Sequence, residues 1–168
     1  MSVNRERSHL IVLPEDDANR QIANGFLNHV GIVGRSIQLL KPAGGWTAVK
    51  DQFTRNHEKY LRTYEHAVCI LIVDFDGEGI DRLQSVRSAI AKDIAPRVFI
   101  LGAQTEPEGL KATLNSSFEK ICSQFAEDCV RDTQIAWRDE HLVHNAEELI
   151  RLRAVVKDFL FVDTPPHF

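Results

Sequence analysis

Ala67-Val-Cys-Ile-Leu-Ile-Val73, followed by Asp74-Phe75-Asp76-Gly77, is the stretch that decides the fold. It is an unbroken apolar run rich in β-branched side chains, too short for a typical helix and closed by turn residues. A run of that kind reads as a strand buried on both faces, as in a parallel sheet covered by helices. Three shorter runs share its character. His9 to Leu13 ends at Pro14, Ser36 to Leu40 is broken by Lys41-Pro42-Ala43-Gly44-Gly45, and Arg97 to Leu101 precedes a polar turn. Between them, apolar residues recur at helical spacing. Ala18, Ile22, Phe26, Leu27 and Val30 form one stripe, capped by Asp16 to Asn19 and closed by Gly31. Thr47 to Tyr64 carries a second, with Val49, Phe53, Tyr60 and Leu61, and Ile80 to Ile90 a third, with Leu83, Val86 and Ile90. Leu110 to Val130 and Asn145 to Lys157 add C-terminal helices, the latter capped by Asn145. Phe159 to Val162 is an apolar stretch suited to an edge strand or a docking tail. The pattern predicts an α/β fold: a mostly parallel sheet of about four strands, helices on both faces, and C-terminal helices.

The bulk numbers agree with one domain spanning residues 1–168, its core at about 9–110 and a helical extension at about 110–168. Hydrophobic residues make up 43% and charged residues 26%, enough to bury a core without staples. The formal net charge of −4 provides no global basic field for nucleic acid; bound divalent cations would have to supply positive charge locally. The three cysteines, Cys69, Cys122 and Cys129, form no Cys-x-x-Cys pair, and the odd count argues against a disulfide framework. The polar segment Met1 to His9 lacks an apolar signal core. No run reaches the roughly 18 apolar residues of a membrane span. A cytoplasmic protein without membrane contact is the expectation.

The polar residues that end the strands carry the chemistry. In an open α/β sheet a ligand sits beyond the carboxyl ends of the strands. The first strand ends in Pro14-Glu15-Asp16-Asp17, the second in Gly44-Gly45, the third in Asp74-Phe75-Asp76. Carboxylates gathered on one edge repel unless a cation neutralises them or one is protonated. An oxygen-only donor set suits Mg²⁺ or Mn²⁺. In an extended segment Asp74 and Asp76 point to the same side and can share an ion, while Phe75 packs inward. Gly44 and Gly45 allow a phosphate to approach the backbone. Lys50 and Lys111 could touch that phosphate, and Trp46 could stack on a base, although solvated lysines and a packed tryptophan are the simpler reading. His141 and His144 have ligand spacing, but no nearby cysteine completes a zinc set.

A strand ending in glutamate, a strand followed by Gly-Gly and a strand ending in Asp-x-Asp resemble the Toprim domain. That is the catalytic domain of type IA and II topoisomerases, bacterial primases, small ribonucleases and the overcoming-lysogenisation-defect nucleases. The matching pieces are Leu10 to Glu15, Pro42 to Gly45 and Ile70 to Asp76, within residues 9 to 110. The resemblance implies Glu15 as acid/base or metal ligand, Asp74 and Asp76 as Mg²⁺ ligands, and metal-assisted phosphodiester hydrolysis of DNA or RNA. In nuclease-like branches, acidic residues after the next strand join the site, and Glu106 and Glu108 stand there. Some nuclease relatives work with a separate ATPase, so an ATPase partner, a phage-defence or DNA-repair setting, and self-association enter by analogy. The sequence departs from the family at Asp16, where a glycine usually follows the glutamate; Asp16 could add a ligand. Tyr60 and Tyr64 fall on a predicted helix, so hydrolysis is preferred to strand passage.

Two other readings compete. Asp16, Asp17 and Asp74, with Thr105 as switch hydroxyl, resemble a response-regulator receiver phosphorylated on Asp74. That reading lacks the lysine after a fifth strand and leaves Gly44-Gly45 and Asp76 unexplained. The other is a non-catalytic subunit that docks a partner through the C-terminal helices.

Overall fold

The computed structural model describes residues 2–104, 112 and 114–162, with the side chains of 118 and 119 excepted. The elements run β1 (His9–Pro14), α1 (Asp17–Leu27), β2 (Ile37–Leu39), α2 (Trp46–Gln52), a π-helical turn (Phe53–His57), α3 (Glu58–Thr63), β3 (Ala67–Ile72), α4 (Gly79–Ser88), β4 (Val98–Leu101), α5 (Phe118–Arg131) and α6 (Ala146–Leu160). The four strands form one sheet in the order β2-β1-β3-β4, with every neighbouring pair parallel.

Alternation along the strands builds two cores. On one face Ile11, Leu13, Cys69, Leu71 and Ile100 meet Val49, Phe53 and Leu61 of the α2–α3 region and Val86 of α4. On the other, Leu10, Val12, Val68, Ile70 and Phe99 meet Ala23 of α1 and Leu149, Leu152 and Val156 of α6. A third cluster stacks α5 outside α1 through Ile121, Cys122 and Phe125, with Ile22 and Phe26 against it. Helices thus cover both faces, which is why the strands read as continuous apolar runs. Among the described residues, no helix is long and apolar enough to cross a membrane.

Three local expectations change. Helix α1 stops at Asn28, whose N–H bonds back to Asn24 and Phe26, well before Gly31; Val30 is 94% exposed and belongs to no apolar stripe. Of Phe159 to Val162, the first two residues finish α6. Phe161 makes one antiparallel bridge to Ile32 and Val162 donates to Gly31 at 2.8 Å, so the stretch adds no strand to the sheet. Asn145 makes no side-chain cap on α6. Its side chain instead accepts from Gly102 N–H at 3.1 Å and donates to Gly102 C=O at 2.9 Å.

That last bond belongs to a larger device. β4 is an edge strand, and its outward main-chain groups need partners. Glu148 accepts from Ile100 N–H at 3.2 Å, Arg151 donates to Val98 C=O at 2.8 Å, and Asn145 takes both polar groups of Gly102. Residues 145, 148 and 151, three apart along one helical face, stand where a fifth strand would pair. Gly102 itself cannot carry a side chain, because a Cβ there would lie 1.6 Å from the carbonyl oxygen of Val73.

Two stability measurements check this account. Asn145→Ala leaves both Gly102 groups buried and unpaired, and urea unfolding should show a loss of about 3 kcal/mol. Gly102→Ala should cost a similar ~3 kcal/mol or prevent folding, by forcing β3 and β4 apart. Gly34→Ala, where nothing lies within 4 Å of the added Cβ, should be neutral in the same assay.

Candidate functional site

The β1-to-β2 connection carries α1 on one face of the sheet, and the β3-to-β4 connection carries α4 on the other. The carboxyl ends of β1 and β3 therefore border the switch point, where open α/β sheets place ligands. Glu15 follows β1 and Asp74 lies just beyond β3, so the sequence expectation of two acidic strand ends on one edge is realised in space.

The contact between them is a main-chain handover. Glu15 N–H donates to Ile72 C=O at 2.9 Å, extending the parallel ladder. An unbroken ladder would next pair Asp74 N–H with Glu15 C=O. That carbonyl instead accepts from Gly44 N–H at 2.8 Å. Glu15 Oε2 replaces it and accepts from Asp74 N–H at 2.7 Å. The side chain is held half-buried at the sheet end, and its carboxyl is raised above the usual range. Desolvation is the main cause; the bond from Asp74 opposes it, and the negative charges of Asp16 and Asp76 add to it.

Asp74 is only 7% exposed. Burial, then repulsion from Asp16, Glu15 and Asp76, pushes its carboxyl up to about 7, against the opposing hydrogen bond from Asn19. Asn19, in the first turn of α1, donates through Nδ2 to Asp74 Oδ1 at 3.1 Å and to Asp16 Oδ1 at 3.0 Å. Asp16 also caps α1, accepting from Asn19 N–H at 2.9 Å. Asp17 faces the helix surface, bonded by Arg20 and Gln21.

Asp76 departs from the expected geometry. Its φ is 49°, in the left-handed region, so the extended alternation that would align it with Asp74 ends there. Gly77 follows at φ 72° and donates to Gln104 C=O at 2.7 Å, while Glu78 N–H closes the turn by donating to Phe75 C=O at 2.8 Å. The Asp76 carboxylate is 57% exposed and lies 3.6 Å from Arg82 Nη1. Phe75 packs inward as expected, at 1% exposure, with its ring edge-on to His144 at 5.0 Å.

Arg82 is the residue the sequence reading missed. It sits on α4, is 9% exposed, donates to Asp74 C=O and pairs with Glu78 at 3.4 Å. Its guanidinium lies 4.9 Å from the Trp46 ring centroid, as does Lys50 Nζ. Trp46 therefore packs against cations, and Lys50 also donates to Ser85 at 3.1 Å. A basic residue inside the apolar stripe of α4 was the available signal for Arg82; an asparagine three residues after the Asp16 cap was the signal for Asn19.

Gly44 and Gly45 take φ of 98° and 147°, and no atom lies within 4 Å of a Cβ added at either. The turn is bonded to the end of β1 through Ala43 N–H to Pro14 C=O and Gly44 N–H to Glu15 C=O. Open space therefore lies beside a backbone fixed next to Glu15. Glu106, Glu108, Lys111 and Thr105 lie outside the described residues.

Whether the donors fit a cation can be tested on this geometry. Among the described residues no group of three or more His, Cys, Asp or Glu side chains converges on one point, so a closed cage is absent. The Glu15 carboxylate does bond the main chain of Asp74, and no hydrogen bond among the described residues engages Glu15 Oε1 or Asp74 Oδ2. Burial chiefly raises the proton affinity of both groups, and a cation beside them would favour their charged forms. Mg²⁺ commonly takes one or two carboxylates and retains several waters. The set fits that kind of open coordination, with Asp76 turned toward Arg82.

A buried carboxyl with a raised pKa keeps its proton in the folded chain after the unfolded chain has released it. Stability of the metal-free protein should therefore fall as pH rises from roughly 4 to 7 and level off above. Asp74→Asn keeps the oxygen that Asn19 bonds and removes the charge. In chelator at pH 8 it should be the more stable protein, by up to about 4 kcal/mol, with the advantage gone at pH 4; pH-resolved thermal melts check both limits. The chain matches no family model, no curated protein and no solved structure, so the chemistry of these residues carries the functional argument.

Proposed function

We propose that the chain is a Mg²⁺- or Mn²⁺-dependent phosphodiester hydrolase of the Toprim type, acting on nucleic acid at the switch point between β1 and β3. The observation that carries this is the Glu15–Asp74 pair: the Glu15 carboxylate bonded to Asp74 N–H, both carboxyls raised in proton affinity, beside an open Gly44–Gly45 turn. A divalent cation, when bound, would neutralise this charge and polarise the phosphate. Asp74 would hold it with Glu15 beside it. Glu15, its carboxyl made more basic by burial, would take the proton of the attacking water. The water oxygen forms a bond to phosphorus, the P–O ester bond breaks, and the leaving oxygen acquires a proton. Arg82 fixes the Asp74 main chain and draws Asp76 aside; the open turn leaves room for a phosphate oxygen near main-chain N–H groups.

Two observations set this reading ahead of the receiver one. Asp17 is bonded by Arg20 and Gln21 on the helix surface and does not join Asp16 beside Asp74. The edge of β4, where a fifth strand would carry the receiver lysine, is taken by Asn145, Glu148 and Arg151. By the same resemblance, full activity could require an ATPase partner, so metal binding is the primary test and cleavage the second.

Mg²⁺ or Mn²⁺ at ten times its Kd should stabilise the chain by about 1.4 kcal/mol. Glu15→Gln, which keeps an acceptor for Asp74 N–H, and Asp74→Asn should each lose that shift and any metal-dependent cleavage of single- or double-stranded DNA or RNA. A wild-type melt indifferent to both metals would overturn the proposal, as would undiminished cleavage by the two variants.

A further inference from the structure

Asp74 is fixed at every polar point but one. Its N–H donates to Glu15 Oε2 at 2.7 Å, its C=O accepts from Arg82, and its Oδ1 accepts from Asn19 Nδ2 at 3.1 Å. Its Oδ2 has no hydrogen bond among the described residues. The side-chain atoms among those residues that are both sealed from solvent and unpaired are Arg82 Nε, Trp137 Nε1 and Arg153 Nε. Asp74 Oδ2 is not one of them, so the oxygen left over keeps solvent contact. Asn19 decides which oxygen that is. It is 1% exposed and sits in the first turn of α1. An amide nitrogen carries two hydrogens, and here each has its own carboxylate, Asp74 Oδ1 at 3.1 Å and Asp16 Oδ1 at 3.0 Å. Ionised carboxylates only accept, so the nitrogen end of the amide must face them. The same Asp16 oxygen accepts from Asn19 N–H at 2.9 Å as the cap of α1. Asp16 thus grips both the main chain and the side chain of Asn19, and Asn19 grips Asp74. The cap that starts α1 and the carboxylate beyond β3 form one bonded unit.

We infer that Asn19 is the positioning residue of the cation site: held by Asp16, it aims Asp74 Oδ2 outward, and Asp16 acts through it without touching the metal. The inference rests on the reading of Glu15 and Asp74 as the cation's carboxylates. It assigns a task to Asp16, which stands where the resembling family usually has glycine. A glycine at position 16 would leave one Asn19 amide hydrogen, and the Asn19 N–H, without this acceptor. Asp16 Oδ1 already accepts twice from Asn19, which favours the holding role over coordination. Groups that hydrogen-bond a metal's ligands fix their orientation, and removing one weakens the metal about 10- to 100-fold.

The test is the Mn²⁺ dissociation constant of the full chain, read from the electron paramagnetic resonance signal of free Mn²⁺. Asn19→Leu, close in size, should weaken Mn²⁺ by about 10- to 100-fold. Asp16→Ala should weaken it at least about tenfold. Asp16→Asn, which keeps the acceptor and removes the charge, should stay within about threefold of wild type, the remainder being screened attraction. The Asp16→Ala/Asn19→Leu double variant should bind no more weakly than Asn19→Leu alone, because both act on one path. Asp17→Asn removes an equal charge one residue along and should leave the affinity unchanged. Asp16→Ala and Asp16→Asn carry the test should Asn19→Leu fail to fold by circular dichroism. Wild-type affinity in folded Asn19→Leu would overturn the inference. So would equal affinities of Asp16→Ala and Asp16→Asn, the result expected of a direct ligand. Absence of Mn²⁺ binding by the wild type would sink the hydrolase reading and this inference together, whereas tight wild-type binding with unweakened variants sinks this inference alone.

Discussion

The parallel pairing of β1 with β3 is the constraint on which the rest of the structure depends. The six pairs from His9–Ala67 to Pro14–Ile72 run through the centre of the sheet, buried on both faces up to the half-buried Ile72 at its carboxyl end. No water reaches their main-chain groups, so each must find a partner in the protein. The ladder ends where β1 turns toward α1, and there Asp74 N–H has lost its expected acceptor to Gly44. Glu15 supplies one from its own side chain. A carboxylate at that position therefore follows from backbone accounting as well as from chemistry. The Gly44–Gly45 turn, the end of β1 and the start of the Asp74 turn are tied together through the Glu15 residue.

What backbone accounting does not explain is the second carboxylate. Asp74 is buried beside Glu15, Asp16 and Asp76, and among the described residues its offsets are an amide from Asn19 and a guanidinium whose bond goes to the Asp74 carbonyl. An asparagine would satisfy the same hydrogen bond without the repulsion. Retaining a destabilising charge at a ligand-binding edge is the usual mark of a site optimised for something other than stability. Arg82 sharpens the point. It is buried, packed against Trp46, paired with Glu78 and close enough to neutralise Asp76, yet at Asp74 it bonds the main chain and not the carboxylate. The cluster keeps one carboxylate pair uncompensated while compensating the next.

Much of this was legible in the chain. Apolar runs that end in turn residues mark buried parallel strands, and strand ends of an open sheet mark the ligand edge, so Glu15 and Asp74 could be placed together without coordinates. The alignment of Asp76 with Asp74 could not, because a left-handed aspartate before Gly77 breaks the period-two alternation on which the expectation rested. Asn19 and Arg82 escaped because their roles are set by partners 55 and 8 residues away, across the packed sheet edge and not along a helix. Asn145 was read as a helix cap from its local sequence. The bare backbone of Gly102 outbid the helix end for its amide, a competition visible only once β4 and α6 are neighbours.

Helix α6 then links the edge of the sheet to its second face. One side of the helix closes β4 with Asn145, Glu148 and Arg151, and another side lays Leu149, Leu152, Val156 and Leu160 over the strands. Those polar bonds fix the helix in register with β4, so its apolar side cannot slide to fill the cavity of about 100 Å³ that lies between it, the sheet and α1. A void between a pinned helix and a rigid sheet persists because close-packed interiors relax only partly around a defect. The same pinning holds Arg153, two residues beyond Arg151, among the residues that line that void. The closed edge that limits this fold to four strands among its described residues is thus also the reason a cavity survives inside it.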